Sequence, residues 1–228
     1  MFRVLEQPRR WVRGATLLIA PAAFSVQTVS GVSVSPNPVT AGSSATGTVS
    51  ITSHIGTVTV ALASSNATIA KVPSSVSIGT KSSSASFAVG TVSSSAGCPL
   101  ITASIGQNSQ STMLLVNPIG DRSSKLSLRL TASVVAGGSS DNATLTLIEP
   151  LGTGPLTVNL ASSNPAAATV PTSVTLPAGT PNEMGIAVAS ATFTVHTAIV
   201  GATTCAVITA TQGTNRARML LKIVTISG

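Results

Sequence analysis

Acid–base chemistry needs carboxylates or imidazoles held near one another. This chain of 228 residues offers Glu6, Asp121, Asp141, Glu149 and Glu183, with His54 and His196. No two of the acids are closely spaced. Asp121 falls in a hinge, Asp141 in an early loop, Glu149 before Pro150 at a strand end and Glu183 in a long loop. Each reads as a solvated loop carboxylate rather than half of a glycosidase pair. The two histidines read as surface residues beside strands. Zinc needs three or four ligands, and the sequence clusters no Cys with His. A calcium junction needs several acids, whereas Asp121 and Asn117 face Arg122 and Lys125. Serine is too abundant to single out a nucleophile. Neither a G-x-S-x-G elbow nor a phosphate-cradling G-x-x-x-x-G-K-[ST] is present. No catalytic, cofactor-binding or metal-ligating residue is therefore assigned, and no cofactor; the expectation is a protein that is not an enzyme. The remaining reactive groups are Cys98 and Cys205.

The elements that hold these residues are read from composition and pattern. The chain is 43% hydrophobic but only 2% aromatic, without Tyr, so its apolar weight lies in Val, Ile, Leu and Ala. Val, Ile and Thr suit a pleated, half-buried surface. Thirteen Pro and nineteen Gly, scattered as punctuation, oppose long helices. Mean hydropathy is +0.49, yet no run approaches the roughly 20 apolar residues of a spanning helix. The apolar residues alternate with Ser and Thr, as in strands with one solvated face. Charged residues are only 7%, against about a quarter in an ordinary domain. The net charge of +7 is concentrated in Arg3, Arg9, Arg10 and Arg13. A nucleic-acid binder shows a basic patch with stacking aromatics; neither is seen, so no nucleic-acid partner is expected.

The chain repeats. "SSNATIAKVPSSVSI" (64–78) answers "SSNPAAATVPTSVTL" (162–176), and "VTAGSSATGTV" (39–49) answers "VAGGSSDNATL" (135–145). "CPLITAS" (98–104) answers "CAVITAT" (205–211), and "TMLLV" (112–116) answers "RMLLK" (218–222). Two modules of about a hundred residues follow one another. The first predicts strands at 29–35, 45–53, 57–63, 68–72, 84–91, 99–105 and 111–117, with turn residues between them. Seven short strands with turns every 8–12 residues read as a sandwich or barrel. Its predicted core includes Val49, Ile51, Val58, Val60, Leu62, Ile101 and Leu114. The second module repeats the pattern with a longer loop at Pro177–Asn182. The division is a basic segment 1–28, a first domain 29–118 and a second 119–228. The hinge Asn117-Pro118-Ile119-Gly120-Asp121 is short, which predicts modules stacked end to end.

The "VSPNPVTAGSSATGTV" opening, the "SSN…A.VP.SV" middle and the "ITA…LLV" close resemble bacterial immunoglobulin-like (Big-type) tandem repeats of surface and secreted proteins. The resemblance covers residues 29–227. It implies an all-β fold of two tandem immunoglobulin-like sandwiches, about seven antiparallel strands each, of Greek-key type. An antibody-type domain has two cysteines, a core Trp and a tyrosine corner. Each module here has one Cys, the only Trp is Trp11, and Tyr is absent, so no disulfide lies within a module.

Cys98 and Cys205 are equivalent positions ahead of the sixth strand. In a stack, equivalent positions lie one module apart, roughly 30 Å for strands of eight to ten residues. A disulfide needs Cα atoms within about 7 Å. Pairing inside one chain is therefore not expected, which leaves buried thiols or interchain pairing.

The stretch "RGATLLIAP" (13–21) has two readings. "GATLLIAP" (14–21) matches "STMLLVNP" (111–118), the last strand of a module and its following Pro. The arginines ahead of it and Ala20-Pro21-Ala22 also resemble a secretory signal, although the apolar core of about six residues is short of the usual 7–15. The strand reading is the better supported. It makes Ala15, Leu17, Leu18 and Ile19 a candidate strand-addition segment; a tail without fixed structure is the alternative.

The expected function is a structural spacer pair in a cell-surface or secreted bacterial protein, the stalk of an adhesin-like array. Its partners would be neighbouring repeats or other copies of the chain, with envelope or glycan contact also open. Two alternatives remain: an adhesion or carbohydrate-binding module, disfavoured by the lack of sugar-stacking Trp and Tyr, and a fibre subunit assembled through residues 13–21.

Overall fold

The structure is a computed structural model that describes residues 27–120, 125–150, 154–181, 183 and 185–226. The described residues form strands and turns, with no helix among them. The first sandwich comprises β1 (Val29–Ser35), β2 (Val39–Thr40), β3 (Ser44–Ile51), β4 (Val58–Ser64), β5 (Ala70–Lys71), β6 (Ser75–Ile78), β7 (Ser84–Thr91), β8 (Leu100–Ile105), β9 (Asn108–Met113) and β10 (Val116–Asn117). One sheet has the order β1-β3-β7-β5 and the other β6-β4-β8-β9; β10 pairs with β2 in parallel.

The second sandwich comprises β11 (Leu126–Leu130), β12 (Val134–Ala136), β13 (Ser140–Pro150), β14 (Leu156–Ser162), β15 (Ala168–Thr169), β16 (Ser173–Leu176), β17 (Thr180–Pro181), β18 (Ile186–Thr197), β19 (Thr204–Gln212) and β20 (Asn215–Val224). Its sheets are β11-β13-β18-β15, with β17 on β18, and β12-β20-β19-β14-β16. The first sheet of each sandwich has the A-B-E-D order of an immunoglobulin-like fold, and the second has its C-F-G order. The chain is thus all-β, with two tandem immunoglobulin-like sandwiches.

Period-two burial explains the strands. In β4, Val58, Val60 and Leu62 point inward while Thr59, Ala61 and Ala63 point out. Every predicted core residue named above is buried. The repeat also keeps its register: Val32 pairs with Val49 as Leu128 pairs with Leu145. Two short strands, β2 and β6, were not legible in the alternation. The predicted strand 111–117 starts earlier and is interrupted. Asn37 fills the gap, its Nδ2 donating to Met113 O (2.7 Å) and its Oδ1 accepting from Leu115 N (2.9 Å). The loop at Pro177–Asn182 contains β17, which lies against a prolonged β18.

One difference between the two cores lies at a glycine. Gly47 faces Phe87 across the β3–β7 pair, and a Cβ on Gly47 would run into the Phe87 ring. In the second sandwich Ala143 faces Phe193. The first site has no room for a side chain without displacing a buried ring. Gly47→Val is expected to destabilise the first sandwich by about 1–3 kcal/mol, read as a lowered denaturant midpoint for that module; an unchanged midpoint would contradict the packing.

A threonine closes each sandwich at the same place. Thr197 is buried, and its hydroxyl lies 2.9 Å from Ala136 O and 2.8 Å from Ser139 O while accepting from Ser139 N. Thr91 reaches Ser43 O (2.6 Å) and Thr40 O (3.3 Å) in the first sandwich. Thr197→Val keeps the shape but leaves these backbone groups without their hydroxyl. The expected cost is about 1–3 kcal/mol, measured by thermal unfolding, with the more exposed Thr91→Val costing less.

Candidate functional site at the junction of the two sandwiches

The repeated Ser-Ser-Asn is a strand-end clamp. Ser65 donates its N–H to Leu100 O (2.9 Å), and its Oγ accepts from Leu100 N (2.9 Å). Ser163 does the same to Val207, at 3.0 and 2.8 Å. Asn66 O and Asn164 O then each accept two N–H groups of the following turn. Hydroxyl and carbonyl so complete the ladder where β4 leaves β8 and where β14 leaves β19, and this positions the segment carrying each cysteine. Gly97 exchanges two backbone hydrogen bonds with Val116, at 3.1 and 2.8 Å. Its φ of +151° favours glycine there, and an added Cβ would also push on the Ile69 Cδ1 atom 2.8 Å away.

Cys98 and Cys205 form a disulfide within the chain, with Cα atoms 6.1 Å apart. This corrects the expectation of buried thiols or interchain pairing, and with it the end-to-end stack. Equivalent points of the two modules meet here instead of lying a module length apart. The chain enters the second sandwich at its opposite end, where Lys125 N donates to Asn215 Oδ1 beside the β19–β20 turn. Cys205 lies seven residues back along β19 from Gln212, or about 23 Å. Asn117 to Lys125 is eight steps, reaching at most about 26–29 Å. A hinge of that length can cover the height of a sandwich, so a short hinge is also compatible with a chain that runs along a module.

Around the disulfide, Cys205, Val207 and Leu220 of the second sandwich pack against Ala96, Cys98 and Leu115 of the first. Arg218 Nη1 donates to Ser94 O (3.1 Å) across the same junction. The sequence does not single out Leu115 and Leu220, since matching the two "LL" pairs puts the repeat one residue out of register at this strand. Aligned by "LL", Leu114 matches Leu220. In the structure Ile101 pairs with Thr112 as Ile208 pairs with Met219, so Leu114 matches Leu221. Leu114 and Leu221 are the fully buried pair. A slip of one residue exchanges the two faces of a strand, and it turns Leu115 and Leu220 toward the junction. The signal available in the sequence was the repeated cysteine, which lies 107 residues from its partner, against 106 for the two "LL" pairs.

An open cleft of about 430 Å³ lies over the disulfide, lined by Ser65, Asn66, Ser163, Asn164 and Thr204 among others. The polar groups there are hydroxyls and amides. Both serine oxygens are engaged with backbone N–H groups as described, and Asn164 Nδ2 donates to Cys205 O (3.3 Å). The cleft's chemistry is that of a fold junction.

The other residues singled out by sequence do not converge on it. Asp141 is not a solvated loop carboxylate: it lies in β13, is buried, and its Oδ2 accepts from Ala132 N (3.1 Å). The His54 ring nitrogens lie 2.7 Å from Gly56 O and 2.7 Å from Ser82 O, tying two loops together. His196 Nδ1 is 2.9 Å from Ser140 Oγ on the neighbouring strand. Among the described residues no three of His, Cys, Asp and Glu come together. Glu6, Asp121 and the strand-addition segment Ala15, Leu17, Leu18 and Ile19 lie outside the described residues.

No family model matches the chain, and no curated protein matches it. Among solved structures, it is similar to the D0-D1 domain of intimin, at 11% identity and a TM-score of 0.34, over 88% of this chain and 100% of the other. It is also similar to the Escherichia coli adhesin FdeC, at 14% identity and 0.35, over 89% of this chain and 64% of that one. For the integrin-binding bacterial protein invasin the values are 14% and 0.35, over 88% and 39%. The fold assignment rests on the strand order and pairing described above rather than on these overlaps.

Proposed function

We propose that the chain is a non-enzymatic structural unit of a cell-surface or secreted bacterial protein, a spacer made of two cross-linked immunoglobulin-like modules. The observation that carries this reading is the disulfide between the modules. Such bonds persist in oxidising, extracytoplasmic compartments. A bond between modules serves their relative position, which is what a spacer supplies. The hydroxyls and amides shared by both repeats support it, since Ser65, Ser163, Thr91 and Thr197 are engaged with backbone. The mechanism is geometric: the pair holds whatever adjoins it at a set separation. Partners in this reading are neighbouring immunoglobulin-like repeats or further copies of the chain. The test is surface digestion of intact native cells followed by peptide mapping without reduction. Release of the Cys98 and Cys205 peptides as one cross-linked species supports the reading. Recovery only after lysis, with both thiols free, would sink it.

A further inference from the structure

The disulfide also determines how far the chain can be drawn out. Cys98 adjoins Gly97, which bridges Val116 at the end of the first sandwich. Cys205 pairs with Lys222, and Thr204 with Ile223, at the last rungs of β19 and β20. The bond therefore joins the place where the chain leaves the first sandwich to the place where it leaves the second. It closes a covalent ring spanning 107 residues that contains every strand from β8 to β18. We propose that Cys98–Cys205 is an extension stop, which keeps this ring out of the tension-bearing path when the protein is pulled from its two sides. This rests on the spacer reading above for its biological purpose, but not for its mechanics.

Tension follows the shortest covalent path. Between Val29 and Val224 that path runs to Cys98, across the two sulfurs, and on from Cys205. It counts 195 steps along the chain less the 107 inside the ring, leaving 88. At about 3.3–3.6 Å per step, full extension is about 290–320 Å with the bond and about 640–700 Å without it. β11 to β18 hang on the path as a side loop. The ladders these strands make among themselves carry no axial load, however far the first sandwich is unravelled; only those of β14 on β19 and β12 on β20 resist the pull. In the second sandwich the load falls only on the segment from Cys205 to Val224, which β20 holds through its pairing with β19 and β12.

The test is single-molecule pulling of the whole chain through non-cysteine handles at both ends, with and without reductant. The fully drawn length is expected to be about 350–390 Å shorter for the oxidised protein. The Cys98→Ser/Cys205→Ser double variant should match the reduced protein under both conditions. Equal lengths for oxidised and reduced protein would overturn the proposal, as would a length difference that survives in the double variant. Finding the protein inside cells would instead remove the spacer reading while leaving the length difference in place.

Discussion

Leu221→Ala is expected to destabilise the second sandwich by about 2–5 kcal/mol, the usual range for a large apolar side chain removed from a sealed core. Leu221 is fully buried among Leu145, Val158 and Ile208 in that core. Its neighbour Leu220 points the other way, against Leu115 and Ala96. Leu220→Ala should cost less, under about 2 kcal/mol, because it removes apolar contact at a partly covered junction rather than opening a core cavity. The order reverses in the first sandwich, where Leu114→Ala should be severe and Leu115→Ala mild. Denaturant titration of the four variants reads this directly. If Leu220 proves costlier than Leu221, the repeat register inferred from the strand pairing is wrong.

Loss of the disulfide is the second large effect. The chain-entropy treatment assigns about 4.7 kcal/mol to a loop of about a hundred residues, and the loop here spans 107. That value is a ceiling, since the ring encloses most of the second sandwich together with β8 to β10 of the first. Cys205→Ser should therefore lower the midpoint of the second sandwich more than that of the first. Calorimetry of oxidised and reduced protein checks this, with thiol titration of the unfolded oxidised chain expected to find no reactive thiol. A disulfide-linked dimer on a non-reducing gel would contradict the intrachain pairing and return the cysteines to the interchain role. Since each sandwich has its own core, both should remain folded after reduction.

The clamp serines bear on how such a pair tolerates change. Ser65 and Ser163 each satisfy a strand-end N–H that would otherwise lose its partner. They sit one residue after Ser64 and Ser162, whose Oγ atoms accept from the Asn66 and Asn164 N–H groups. The Ser-Ser-Asn motif therefore engages its serine oxygens with the backbone at both strand ends. Its hydrogen-bond partners give the repeated motif the role of a structural joint in both modules.

Much of this protein is legible from its residues alone, because it depends on short-range pattern. Alternation of Val, Ile and Leu with Ser and Thr yields strands, Gly and Pro mark the turns, and internal similarity yields two modules of one kind. The core residues from Val49 to Leu114 follow from the same period-two rule. Three things needed the tertiary structure. Asp141 looks like a loop acid, and only the β13 pairing shows it buried on the Ala132 N–H. The faces of the "LL" pairs depend on cross-strand register, which a one-residue alignment choice reverses. The cysteine pairing depends on how two rigid bodies sit, and a short hinge is compatible with stacking or with running along a module. Local sequence does not encode that choice. It is decided by the packing of Leu115 against Val207 and Leu220 and by the covalent bond itself, contacts between residues about a hundred positions apart in the chain.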